Sequence, residues 1–249
     1  MTEKESWIIN QFIAHRGFFD KENPENTLGA FQRAVENNFA IECDLRLLAD
    51  GNVVVFHDKR LSRLTSVDGY IETLTLDEIK NLKVNNSNFG IPTLQEMLSV
   101  VNGQVPILFE IRNFSRKKIG ELESKLCEIL KDYKGNFAVQ SYNPFVLEWF
   151  KINHPEIMRG IVSSYFQFNE DFEDDKTSWV VRYVLKHMKM NKKAEPNFIA
   201  YYWKNLPNRF VKKYKELPVL AWTIKSQEEY LKVVKHADNI IFEGFEPKI

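Results

Sequence analysis

The sequence predicts one α/β domain built as a TIM (β/α)8 barrel, with a small hairpin and helical insertion after the second strand, about residues 46–103. Three observations carry this. Short apolar runs that read as strands alternate with helical patterns along nearly the whole chain. When one hairpin arm is set aside as antiparallel, the strand-like runs number eight. The 249 residues show no linker or composition break, and that length is ordinary for a single barrel.

The first run, Phe12-Ile13-Ala14, ends in His15-Arg16-Gly17, a strand delivering polar groups at its C-terminal end. Pro24-Glu25-Asn26-Thr27 suits a helix start. Ala30, Phe31, Ala34 and Val35 form that helix's apolar stripe before Asn37-Asn38 closes it. Ile41 to Arg46 reads as the second strand. Residues i and i+2 of a strand share a face, so Glu42 and Asp44 project together. Cys43 faces the other way and reads as a small core residue under the helices.

Asp50-Gly51 is a turn signal between Leu45–Leu48 and Val53–Phe56, and the second arm ends in His57-Asp58. Helices are expected over Thr73–Leu82, with Thr75 as cap and Glu78 three residues on, and from about Thr93 to Val101. The strands Val105–Arg112, Phe137–Ser141, Met158–Ser163, Phe198–Tyr202, Val219–Thr223 and Asn239–Phe242 follow. Helical patterns over Ser115–Tyr133, Pro144–Asn153, Thr177–Met190, Pro207–Lys215 and Ser226–His236 separate them.

Composition excludes several classes. Hydrophobic residues make up 44%, enough for a sizeable core, and 34 basic residues balance 34 acidic ones. Overall charge therefore offers nothing to nucleic acid. Two cysteines, Cys43 and Cys127, imply no disulfide framework and a reducing compartment. With no apolar run long enough to span a bilayer and no secretory signal at the start, the expected setting is the cytoplasm.

Working residues of such barrels sit at the C-terminal ends of strands. That rule collects His15, Arg16, Glu42, Asp44, His57, Glu110 and Arg112. In isolation Glu42 and Asp44 read equally well as a solvated acidic face, because burying two neighbouring carboxylates needs a compensating cation or proton. Together with Glu110, they offer the oxygens that hard divalent cations such as Mg²⁺ or Ca²⁺ prefer. Two histidines could run acid and base steps near neutral pH, and arginines present charge-assisted donors to phosphate oxygens. Phosphodiester cleavage is the chemistry this set suits.

The residues resemble the glycerophosphodiester phosphodiesterase family. The resemblance rests on His15-Arg16-Gly17, Pro24-Glu25-Asn26-Thr27, Glu42-x-Asp44, Asp50-Gly51 and Val54-x-x-His57-Asp58. It continues through Leu61-x-Arg63-x-Thr65, Pro92-Thr93-Leu94-x-Glu96, Glu110, Ser141-Tyr142 and Trp222-Thr223. It implies a barrel that hydrolyses a small-molecule glycerophosphodiester to glycerol 3-phosphate and an alcohol, through a cyclic phosphate formed by the neighbouring glycerol hydroxyl. By the same resemblance Glu42, Asp44 and Glu110 look like ligands of one divalent cation, Mg²⁺ or Ca²⁺. His15 and His57 look like the catalytic pair, with His15 expected as base in the first step and His57 as acid. Arg16 would contact the phosphate; Arg112 and Trp222 are further candidate substrate contacts, and Trp222 reads equally well as barrel packing.

Three positions depart from the family pattern: Arg112 where lysine is usual, Ile224-Lys225 after Trp222-Thr223, and Phe242-Glu243-Gly244-Phe245-Glu246-Pro247 at the last strand's end. Two other readings share the barrel: a lysophospholipase D or sphingomyelinase-D-like headgroup-cleaving enzyme, and a non-catalytic phosphodiester-binding scaffold. The acidic run Glu170–Asp175 reads as a solvated loop feeding a helix start. Trp179 to Lys193 reads either as an outer barrel helix with a basic exposed face or as a basic amphipathic helix in peripheral contact with anionic membrane.

Overall fold

Burial of both faces of one strand organises the N-terminal half. The computed structural model describes residues 6–113, 116–166 and 179–248. After a short helix α1 (Trp7–Asn10) come β1 (Ile13–Ala14), α2 (Leu28–Glu36), β2 (Ala40–Leu47) and β3 (Val53–Val55). Then follow α3 (Leu76–Ile79), α4 (Leu94–Val101), β4 (Ile107–Ile111) and α5 (Glu121–Leu130). β2 pairs in parallel with β1 on one side and β4 on the other, and antiparallel with β3 beyond its midpoint. A strand with neighbours on both edges and side chains inside and out has no exposed residue from Ala40 to Arg46.

The remaining elements are β5 (Phe137–Ser141), α6 (Pro144–Asn153), β6 (Arg159–Ser163), α7 (Trp179–Lys186), α8 (Asn191–Ala194), β7 (Phe198–Tyr202), β8 (Val219–Ile224), α9 (Gln227–Val233) and β9 (Asn239–Phe242). The chain falls into two compact units, residues 13–137 and residues 1–12 with 138–249. In the second unit β5, β6, β7, β8 and β9 pair successively in parallel where the pairings are given, with Tyr202 opposite Trp222. Its helix-side core gathers Leu147, Ile161, Ile199, Tyr201, Phe210 and Val219. The strands are those of an eight-stranded parallel α/β barrel, with β3 as an antiparallel hairpin arm of β2. No described helix is long and apolar enough to cross a membrane.

Local chemistry explains most element ends. The Thr27 hydroxyl accepts from the Ala30 N–H and caps α2, while Thr93 and Glu96 form a reciprocal capping box at α4. Pro24 to Asn26 precede the helix rather than open it. Asn26 is left-handed at φ 55°, and the Thr27 hydroxyl reaches back to the Pro24 carbonyl. α3 keeps only four residues of the expected Thr73–Leu82. The Pro207–Lys215 pattern gives no α-helix, only a 3₁₀ turn at Val211–Lys213, whose start Asn208 caps by accepting from the Phe210 and Val211 N–H groups. The segment 48–91 has an apolar cluster of its own, including Leu48, Phe56, Leu61, Ile71 and Ile79. Glu170–Asp175 lies outside the described residues.

Gly17 is the position where backbone freedom decides the fold near the first strand. It is buried at φ 82°, and a Cβ there would stand 2.9 Å from the Ala30 backbone carbon. Gly17→Ala is expected to destabilise the protein by about 1–3 kcal/mol, measured by denaturant unfolding. An unchanged midpoint would show that α2 yields at no cost.

Candidate active site

The left-handed turn at Arg16-Gly17 (φ 57° and 82°) points two successive N–H groups at Glu42: Arg16 N–H to its carboxylate at 3.0 Å and Gly17 N–H to its carbonyl at 3.2 Å. Parallel register then sets Asp44 directly opposite Glu110. Oxygens of Glu42, Asp44 and Glu110 lie within 4.8 Å of one another, all three residues buried.

Cations compensate this cluster unevenly. Arg112 Nη1 lies 2.8 Å from Glu110 and 3.8 Å from Asp44; Arg16 Nε lies 3.4 Å from Asp44, which also accepts from the Asn26 amide at 2.9 Å. Glu42 has the Arg16 backbone N–H, and His15 Nε2 at 3.8 Å. Burial, with Asp44 and Glu110 close by, pushes the Glu42 carboxyl well above the usual range. Burial likewise raises Glu110, against the opposing pull of Arg112. Carboxyls held up in this way would be relieved by a bound cation, and an all-oxygen donor set fits a hard divalent ion. Cys43 takes no part: its thiol packs 3.6 Å from the Met97 sulfur of α4, on the helix side as expected.

His57 follows the β3 arm. Its Nδ1 lies 2.6 Å from the Asp58 carboxylate, and the Arg46 guanidinium holds its carbonyl from a fully buried position (Nε at 3.0 Å). Burial, reinforced by Arg112, Arg16, Arg46 and His15, pushes the His57 pKa well below the usual histidine value. Asp58 shares its charge with Arg63, which binds it through two nitrogens. Arg63 also forks onto Glu25 at 2.7 and 3.0 Å, and Glu25 meets Arg16 at 2.6 Å. This lattice ties the histidine arm to the first strand's turn.

The sequence profile of the glycerophosphoryl diester phosphodiesterase family matches residues 15–242. The chain belongs to that family. A glycerophosphodiester phosphodiesterase of Caldanaerobacter subterraneus is 35% identical over 162 residues, 60% of this chain and 65% of the relative. Bovine glycerophosphodiester phosphodiesterase 1 is 34% identical over 54% of this chain and 43% of its own. The chain thus spans less than two thirds of these two relatives. Among solved structures, an Oleispira antarctica phosphodiesterase in complex with the product sn-glycerol-3-phosphate superposes with TM-score 0.78 at 26% identity, covering 95% of this chain and 93% of that one. The Thermotoga maritima glycerophosphodiester phosphodiesterase gives 0.70 at 25%, covering 93% of both.

His15, Arg16, Glu42, Asp44, Glu110 and Arg112 are brought together by direct contacts, and His57 shares their electrostatic environment. Trp222 belongs to the other unit, where its ring packs on Tyr142 (5.9 Å) and Tyr202 (5.4 Å) and its buried indole N–H has no hydrogen-bond partner among the described residues. Two departures from the family pattern turn out to be one: Lys225 and Glu243 form an ion pair of 2.7 Å at the ends of β8 and β9. Sequence reasoning gave no role to Arg46, Asn26 or the Glu25–Arg63–Asp58 lattice. Its one available signal was that Glu25, Asp58 and Arg63 all fall within the family motifs.

The lattice has a pH signature. Against the burial that would raise it, Arg63 and Arg16 hold Glu25 at about 2. A depressed carboxyl stabilises the fold above its unfolded value, about 4.3, and loses that contribution as pH falls toward 2. Arg63→Leu should therefore cost most stability at neutral pH, and the gap from wild type should narrow through that acid window in unfolding titrations. A pH-independent gap would mean that the pair is not what the mutation removes.

Proposed function

We propose that this chain is a divalent-metal-dependent phosphodiesterase that cleaves glycerophosphodiesters to glycerol 3-phosphate and an alcohol. The observation that carries this is the buried Glu42–Asp44–Glu110 cluster beside two histidines and two arginines. The product named in the Oleispira structure supports glycerol phosphate as the common half of the substrate. Glu42, Asp44 and Glu110 would hold Mg²⁺ or Ca²⁺, which supplies positive charge to the phosphate oxygens when bound. Arg16 and Arg112 add donors to the same oxygens. The Trp222 N–H, buried without an acceptor among the described residues, is assigned to a substrate oxygen, because an unmet buried donor is costly. One domain with an insertion at 46–103 is the matching unit of function. Free thiols at Cys43 and Cys127 fit a cytoplasmic setting.

The neighbouring glycerol hydroxyl attacks phosphorus, the alcohol departs, and water opens the resulting cyclic phosphate. His15 and His57 carry the protons. A carboxylate can only accept, so Asp58 fixes the proton on Nδ1 of His57 and leaves Nε2 as an acceptor. Its lowered pKa keeps that acceptor neutral. We therefore assign His57 as the starting base and His15 as the acid, the reverse of the order expected from sequence, with the roles exchanging in the second step.

Two experiments test this reading. Release assays across choline, ethanolamine, glycerol and inositol diesters and lysolipids, with Mg²⁺ or Ca²⁺ varied, should show turnover that chelator abolishes. Glu42→Gln should lose at least a hundredfold in kcat/KM with little change in Tm, since the group removed is a strained buried acid. Full activity in chelator would overturn the metal role, and refusal of soluble diesters with cleavage of lysolipids would move the protein to the headgroup-cleaving alternative. With metal saturating, the acidic limb of kcat/KM should lie below the ordinary histidine value of about 6.5. Arg63→Leu, which frees the Asp58 charge to stabilise the imidazolium, should move that limb upward. A wild-type limb above the ordinary value would return the base role to His15.

A further inference from the structure

α7 carries an apolar surface that the hydrolytic reading does not use. Trp179 is 79% exposed, Val180 48%, Val181 45% and Tyr183 45%, so four of the nine exposed large hydrophobics among the described residues fall within one helix. Scattered surface apolar residues are ordinary, but a concentration of this kind marks an interaction surface. The same stretch, 179–194, holds Arg182, Lys186, Lys189, Lys192 and Lys193 with no Asp or Glu, in a chain of zero formal net charge.

The two properties are interleaved. Residues three apart on a helix are neighbours, which sets Arg182 beside Trp179 and Lys186 beside Tyr183. Lys189 continues the basic row with its ammonium 4.5 Å from the Tyr183 ring centre, and Lys192 and Lys193 extend it through α8 as exposed side chains. Lys186 is partly engaged, its ammonium 4.2 Å from the Tyr165 ring. Exposed valines beside a Trp and a Tyr, bordered by lysines, match the depth profile of a lipid interface: aliphatic groups in the acyl boundary, aromatic rings at headgroup level, ammonium groups at the phosphates. A nucleic acid would use the cations but gain nothing from the valines.

We propose that α7, with the basic turn that follows it through Lys193, is a docking surface for an anionic lipid bilayer. This goes beyond the phosphodiesterase reading and stands or falls separately from it.

The test is co-sedimentation of the whole chain with vesicles of phosphatidylcholine, with and without phosphatidylglycerol, beside heparin binding as a soluble-polyanion control. Retention on the anionic vesicles that high salt weakens, with little retention on phosphatidylcholine alone, is the expected result. The triple variant Lys189→Gln, Lys192→Gln, Lys193→Gln should weaken vesicle binding roughly a hundredfold, at about fivefold per lost cation. Trp179→Ser should reduce it while leaving Tm and hydrolysis of soluble diesters unchanged. Brominated lipid should quench wild-type tryptophan emission, and most of that quenching should be lost in Trp179→Phe. Equal binding to both vesicle types, heparin binding that matches or exceeds vesicle binding, or quenching unchanged in Trp179→Phe would each overturn the proposal.

Discussion

Three carboxylates held within 4.8 Å of one another below the protein surface impose the constraint that the rest of the N-terminal unit answers. Their mutual repulsion in a low-dielectric setting must be met by cations, donors or retained protons. The fold supplies all three unequally. Arg112 bridges Glu110 and Asp44, Arg16 and Asn26 serve Asp44, and Glu42 is left with backbone donation, His15 at 3.8 Å and a pKa driven upward. The shortfall is concentrated where the oxygen donors converge, which is the condition for binding a divalent cation rather than for making a stable ion-pair core.

Around this cluster the surrounding residues control position. Gly17 allows the tight approach of the first strand's turn to α2, and the Arg16 and Gly17 amides fasten that turn to β2. Arg63 joins Glu25, the partner of Arg16 on that turn, to Asp58 beside His57, so that one half-exposed guanidinium aligns two loops. Arg46, buried beneath, fixes the His57 carbonyl. The arrangement makes histidine orientation depend on arginines that touch no substrate in the proposed reaction, and it lowers the His57 pKa by surrounding a buried imidazole with positive charge.

Much of this was readable along the chain because it is local. The i, i+2 spacing of Glu42 and Asp44, the Asp50-Gly51 turn and the pairing of Thr75 with Glu78 act over a few residues, and the structure has them. Strand limits at Phe137–Ser141 and Phe198–Tyr202 coincide with the expected ones, since a strand buried on both sides is a continuous apolar run. Pro207–Lys215 has helical apolar spacing and a capping Asn208, yet it is held to a 3₁₀ turn. Pro24 to Asn26 misled because helix-start residues also build the turn that precedes a cap.

The sequence by itself determined the barrel class, the residue types of the site and their delivery at strand ends, because period, turn chemistry and motif spacing are properties of neighbouring residues. Only the tertiary structure decided which charges compensate which. Glu25 and Arg63 are 38 positions apart, and Asp44 faces Glu110 only through the register of β2 on β4. Burial and Coulomb energy depend on distance in space, so the strained Glu42, the lowered His57 and the exposure of the apolar side chains of α7 became visible only in the folded chain.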